Sequence, residues 1–149
     1  MTSPADELRA ATLTLRERAT TALANPFNGD NTQHWSCRLR ATNRTDGFPP
    51  TATITSDPDL GKSIIHGGGG RTGRGPWVFA AHGEYIALMD PALGLLFADW
   101  LDVAVDLIDD YPDLGHIHID GEPCTDLACR TVHAALAVAR QINGTETTP

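Results

Sequence analysis

The chain has 149 residues, a formal net charge of −8 and 41% hydrophobic residues. This length is enough for one domain with a core of its own. The negative charge repels phosphate backbones, which makes nucleic acid an unlikely partner and a basic protein a more suitable one. No apolar run approaches the roughly 18 residues of a membrane span. The N-terminus lacks the basic and then apolar order of a signal peptide, so we expect a cytoplasmic protein.

An N-terminal helix is predicted from Pro4, with Ser3 as its N-cap. Asn25-Pro26 ends the helical pattern. The apolar stripe is thin, so this helix should pack on another element. The stripe consists of Leu8, Ala11, Leu15, Ala19 and Ala22.

Between Gln33 and Ala81 the sequence has short β-like runs separated by turn residues, which predicts a small antiparallel sheet. Trp35–Thr42 alternates apolar and polar residues, as a half-buried strand does, and places Leu39 on the inner face. Turn sequences separate it from further short β-like runs. The runs make a sheet of about four strands, namely Trp35–Thr42, Thr51–Thr55, Lys62–His66 and Trp77–Ala81.

The strongest pattern predicts a long helix from Pro91 to Asp110, after a short helix over Tyr85–Met89. Asp90 is a suitable cap, and Tyr111-Pro112 closes the helix. Apolar residues recur at alternating steps of three and four, as expected for a helix facing a core. The predicted core stripe is Leu93, Leu96, Trp100, Val103 and Leu107, widened by Phe97, Leu101 and Ile108.

Acidic residues occupy the other face of this helix. They are a candidate partner-binding surface for a basic protein, and an ordinary solvated face has the same pattern. A row of carboxylates with no opposing ligand does not define a cation site. The residues of this acidic stripe are Asp99, Asp102, Asp106 and Asp109.

A last helix is predicted after a short strand at His116–Asp120, with Thr125 as its cap and Asn143-Gly144 as its stop. Residues 1–142 are expected to form a single domain and residues 143–149 a flexible tail. The buried stripe of this helix is predicted to be Leu127, Val132, Ala135, Leu136, Ala139 and Ile142.

Metal-capable side chains are concentrated just before and within the last helix. Two histidines share one face of the predicted strand, and Cys129 and His133 stand one helical turn apart, so four of the five could form a tetrahedral zinc site. The spacing matches no zinc finger, and the alternative is that the cysteine packs in the core while the histidines are solvated. The candidate ligands are His116, His118, Cys124, Cys129 and His133.

Nothing in the sequence indicates a catalytic group. The glycine-rich segment Gly67–Gly75 matches a dinucleotide fingerprint only because it is a run of glycines, and no helix follows it. No Gly-x-Ser-x-Gly elbow is present. We therefore expect a protein that is not an enzyme, and we leave the role of the glycine-rich segment open.

Two blocks resemble small proteins of actinobacteria and their phages that have no established activity. The first is GPWVFAAHGEYIALMDPALGLLFADWLD (Gly75–Asp102) and the second is CRTVHAALAVARQING (Cys129–Gly144). The resemblance implies an accessory protein and transfers no catalytic residue. Related sequences carry further cysteines ahead of the last helix, where this chain has His116 and His118, which implies either a changed zinc ligand set or a lost site.

The sequence thus predicts an α+β domain with an N-terminal helix, a small antiparallel sheet, and a C-terminal helix packed on the helix Pro91–Asp110. The expected function is that of a small cytoplasmic accessory protein that binds another protein and needs no cofactor. The alternative is a zinc protein, structural or hydrolytic, that uses the C-terminal His/Cys cluster. An exposed apolar patch beside the acidic stripe would favour the first function. The oligomeric state is not indicated.

Overall fold

The computed structural model describes residues 2–23, 33–40, 50–56, 63–65, 77–115 and 125–145. These ranges contain α-helices and a small antiparallel sheet, which confirms the predicted α+β class. The α-helices are α1 (Pro4–Leu23), α2 (Ala80–Leu88), α3 (Pro91–Asp110) and α4 (Leu127–Asn143). A short 3-10 helix at Pro112–Gly115 lies between α3 and α4. The strands are β1 (Ser36–Leu39), β2 (Thr51–Thr55) and β3 (Val78–Phe79).

The chain divides into two compact units. The first comprises Met1–Arg18 and Gly94–Pro149, and the second comprises Ala19–Leu93. In the first unit, α1, α3 and α4 share one buried core, in which Leu8, Leu101 and Val132 are fully buried. Alanines fill much of the remaining core, which allows the three helix backbones to approach closely. These alanines are Ala5, Ala11, Ala104, Ala135 and Ala139.

The starts of α1 and α3 follow the predicted caps. Ser3 Oγ accepts a hydrogen bond from the Asp6 backbone N–H at 3.2 Å, which satisfies one of the free donors of the first turn of α1. At α3, Asp90 Oδ1 accepts from the Leu93 N–H at 2.8 Å. The other carboxylate oxygen of Asp90 lies 3.0 Å from Nδ1 of His34. Asp90 therefore joins the start of α3 to the segment before β1.

The start of α4 differs from the sequence prediction in two respects, its cap and the burial of Leu127, whereas its end follows the prediction. The cap is Asp126, not Thr125, because Asp126 is extended and its carboxylate accepts a 2.8 Å hydrogen bond from the Cys129 N–H. The predicted stop is confirmed, since Gly144 takes the left-handed conformation with φ 66° that glycine adopts without steric cost. Leu127, predicted to be buried, is exposed in the first turn.

The second unit contains the sheet, with strand order β1-β2-β3 and both pairings antiparallel. Helix α2 packs against it at Gly83, where the lack of a side chain lets the helix come close to Cys37, Ala52 and Val78. Leu39, which stands opposite Ala52 on the edge strand β1, is 61% exposed, so its predicted inward position is wrong. Helix α2 contacts all three strands, and Leu39 at the end of β1 is nevertheless exposed.

The described residues form three strands, where the sequence predicted about four. Within the predicted strand Lys62–His66, the described residues make one isolated bridge, between Ser63 and Thr55. The predicted strand Trp77–Ala81 is limited to Val78–Phe79, because helix α2 begins at Ala80 and continues to Leu88. The alanines at its start favour helix over strand. The predicted strand His116–Asp120 lies outside the described residues.

Candidate protein-interaction surface

Helix α3 has the predicted bounds but buries only part of the predicted stripe, including Leu101 and Ile108. Leu96 is 65% exposed and Val103 is 60% exposed, although both belong to the predicted core stripe. The face that packs against α1 and α4 contains Ala104 together with larger buried side chains, and this small residue permits close helix packing. The buried residues of α3 are Ala98, Leu101, Ala104, Val105 and Ile108.

Four apolar side chains at helical spacing form a row along α3, which we call the α3 seam and define as Leu96, Trp100, Val103 and Leu107. Leu96 and Val103 are its exposed members. Trp100 and Leu107 are half-buried and pack partly against the core. Phe97 meets Trp100 edge to face, with ring centroids 6.3 Å apart. The seam covers about three helical turns, or about 17 Å of helix length.

Three aspartates of the predicted acidic stripe make ion pairs with α1 inside the first unit. Arg16 lies 2.8 Å from an Asp99 oxygen and 2.5 Å from an Asp102 oxygen. Arg9 donates to both oxygens of Asp109, at 2.8 Å and 2.6 Å. The hydrogen bond to Asp109 and the charge of that carboxylate raise the pKa of Arg9. These pairs are exposed, so each contributes little to stability by itself.

The remaining carboxylates of α3 face solvent next to the seam. Asp106 and Asp110 are exposed and have no ion-pair partner among the described residues. They follow Asp99 at steps of seven and four, which places all three on one side of the helix. We call Asp99, Asp106 and Asp110 the acidic border. The 20 residues of α3 include five aspartates and no lysine, arginine or histidine.

The candidate zinc ligands are only partly described. Cys129 is buried, and His133 is half-buried one turn later on the same side of α4. Within the described ranges, no three His, Cys, Asp or Glu side chains are close enough together to hold a metal ion. His116, His118 and Cys124 lie outside those ranges, so the zinc site stays a prediction.

A second apolar surface lies in the second unit, around β3 and α2. Trp77, predicted to be a core residue, is 44% exposed and meets Phe79 edge to face at 5.6 Å. These rings contribute to an open groove with a volume of about 570 Å³. Its described lining includes the polar groups of Trp77, His82 and Tyr85, but no carboxylate, lysine or arginine. Its lining residues are Trp77, Val78, Phe79, His82, Tyr85 and Ile86.

The free thiol of the sheet is not set up for nucleophilic chemistry. Burial, followed by the charge of Glu84, raises the pKa of Cys37. A thiol with a raised pKa stays protonated near neutral pH and is a poor nucleophile. Its Sγ lies 4.0 Å from the carbonyl oxygen of Ala80, at the contact between β1 and α2. Cys37 therefore acts as a packing residue.

Comparisons with known protein families, with curated proteins and with solved structures gave no match to this chain. The resemblance to actinobacterial and phage proteins accordingly stays a prediction. Among the described helices, none combines the length and the apolar character needed to cross a membrane.

Sequence reasoning missed the exposure of the α3 seam, although the sequence carries a signal for it. Helix α3 has two apolar sets at helical spacing, one containing Leu96 and Val103 and the other containing Leu101, Val105 and Ile108. A helix that packs on a single core needs only one apolar stripe for that contact. A helix with two apolar sets is therefore expected either to be buried on two sides or to expose one of them.

Proposed function

We propose that this protein is a small cytoplasmic accessory protein, of the phage-associated type, that works by binding another protein through the α3 seam and its acidic border. The supporting observation is the exposure of Leu96 and Val103 in line with Trp100, beside a row of carboxylates. Single exposed apolar residues are common on soluble proteins, whereas a contiguous apolar surface with a polar rim is typical of an interface.

Burial of the α3 seam by a partner would contribute a substantial free energy of binding. Complete burial of Leu96 and Val103 by a partner would contribute on the order of 1–2 kcal/mol each, because more than half of each side chain is still in contact with water. Trp100 adds a large, half-buried aromatic side chain of the type that often dominates interface energies. Asp99, Asp106 and Asp110 would supply orientation and partner choice more than affinity.

Quantitative affinity capture with matched variants tests this proposal. The seam variant carries Leu96→Ser and Val103→Ser, and the control carries Leu13→Ser, which removes an α1 leucine that is 68% exposed. Because all three side chains are largely in water, each change should alter the free energy of unfolding by less than about 0.5 kcal/mol. Wild type and control should capture the same protein from a host lysate, and the seam variant should lose it.

Circular dichroism and thermal unfolding show whether each variant is folded. If the folded seam variant captures the same proteins in the same amounts as wild type, the α3 seam is not the docking surface. Loss of capture by the Leu13→Ser control as well would point to a general loss of surface hydrophobicity and would also contradict the proposal.

A further inference from the structure

We infer that the partner of the α3 seam is an amphipathic helix with lysine or arginine residues along one edge of its apolar stripe. This inference rests on the proposed function and specifies the chemistry of the partner. It is drawn from the spacing of the seam residues and from the charge of the acidic border.

The spacing indicates a helix. From Leu96, the seam residues follow at steps of four, three and four, ending at Leu107. A helix with apolar residues at these alternating steps presents the row of side chains that packs against a second helix crossing at a shallow angle. An apolar stripe about 17 Å long matches a partner segment of about two heptads. In this geometry Trp100 lies near the centre of the contact.

The charge indicates that the partner helix is basic. Asp99 and Asp106 stand directly beside the seam, where they would face the residues that flank the apolar stripe of a partner helix. Asp110 follows Leu107 by three residues and adds a negative charge at the C-terminal end of the seam. The side chain of Asp99 is 67% exposed even with Arg16 bound to it. Arg16 also contacts Asp102, so one guanidinium serves two carboxylates. The border therefore stays negative.

The same charges disfavour a second copy of this chain as the occupant. In an antiparallel pair of α3 helices, the flanking residues of one helix face the equivalent residues of the other, so Asp99 and Asp106 would meet aspartates. A parallel pair would place no basic residue of α3 against the border, since α3 has none. Each copy also carries a formal net charge of −8. A basic partner helix would place positive charges against the border and avoid the repulsion between aspartates.

Two designed peptides and two charge variants test the inference on the full chain. Both peptides are helical over two heptads with leucine along one stripe, and they differ only in carrying lysine or glutamate at the flanking positions. Affinities are measured by fluorescence anisotropy of labelled peptide at low and high salt. Asp106→Asn removes one border charge, and Glu17→Gln makes the same charge change at an exposed α1 residue that is not part of the border.

The lysine peptide should bind at least about tenfold more tightly than the glutamate peptide, because several flanking contacts change sign. Asp106→Asn should weaken lysine-peptide binding by about two- to fivefold, within the range of single exposed ion pairs. Glu17→Gln should leave it unchanged, and raising the salt concentration should reduce it. The seam variant, Leu96→Ser with Val103→Ser, should lose roughly tenfold or more, since both contacts are apolar.

The other outcomes separate this inference from the proposed function. Equal binding of both peptides, lost in the seam variant, would overturn the basic partner and leave the α3 seam as the docking surface. Lysine-peptide binding that the seam variant leaves intact would overturn both, because the contact would then be electrostatic alone. Binding of neither peptide would overturn the helical partner. A dimer in light scattering that the seam variant dissociates would identify a second copy as the occupant.

Discussion

Replacing Gly83 with alanine tests the close packing of α2 on the sheet. A Cβ built on Gly83 lies 3.0 Å from Cγ2 of Val78, 3.1 Å from Sγ of Cys37 and 3.3 Å from Cβ of Ala52. Alanine gains about 1 kcal/mol of helix propensity over glycine, whereas forcing an extra methyl into a packed contact costs about 1–3 kcal/mol. The steric cost should exceed the gain in helix propensity here, because Ala52 Cβ is fixed to the backbone of the central strand and cannot rotate away.

We expect Gly83→Ala to lower the free energy of unfolding by about 1–2 kcal/mol, which corresponds to a fall in Tm of roughly 2–8 °C for a chain of this size. Urea unfolding followed by circular dichroism measures the first quantity. Ala81→Gly, at an exposed position of the same helix, provides the propensity effect alone and should cost up to about 1 kcal/mol. In a Cys37→Ala background the cost of Gly83→Ala should shrink, because one of the three contacts is gone. A Gly83→Ala protein that is more stable than wild type would refute the close approach of α2 to the sheet.

Four further predictions concern the helix ends and the candidate zinc ligands. Asp126→Ala should destabilise the protein by about 1 kcal/mol in urea unfolding, and Thr125→Ala by less than about 0.5 kcal/mol; equal effects would contradict the assignment of the α4 cap to Asp126. Gly144→Ala should cost about 1 kcal/mol by the same measurement, because φ is positive there, and an unchanged stability would argue against the left-handed cap. Burial opposes ionisation of Asp90, but hydrogen bonds from Leu93 and His34 outweigh it and hold the pKa below its ordinary value of 3.8. The stability that Asp90 contributes is therefore present above that value and is lost as the pH falls through the lowered pKa. Asp90→Asn should flatten the loss of stability in acid below the ordinary value, and identical acid profiles of the two proteins would contradict this role. If the zinc alternative holds, native mass spectrometry should find one zinc per chain that chelator and Cys129→Ser both remove, and an apo mass in gentle conditions would exclude it.

The elements of this protein that local chemistry defines could be predicted from the sequence. Helix α3 begins after Asp90 and ends at Asp110 as predicted, because an aspartate cap, a proline at the first position and a following Tyr-Pro pair act over a few residues. The same holds for Ser3 at the start of α1 and for Gly144 at the end of α4. Caps and stops depend on hydrogen bonds and backbone angles of neighbouring residues, which a sequence displays directly.

Only the tertiary structure decided which face of α3 is buried. Leu96 and Leu101 are equally apolar, yet one is largely exposed and the other fully buried. The difference depends on where α1 and α4 pack, and they pack on the face of α3 that carries Leu101 and Ala104. The same packing placed Arg9 and Arg16 against Asp109 and Asp99, pairs separated by 100 and 83 residues in the chain. The sequence thus determined the helix and its charges, whereas the packing of its neighbours decided which apolar stripe stays in water and which carboxylates remain beside it.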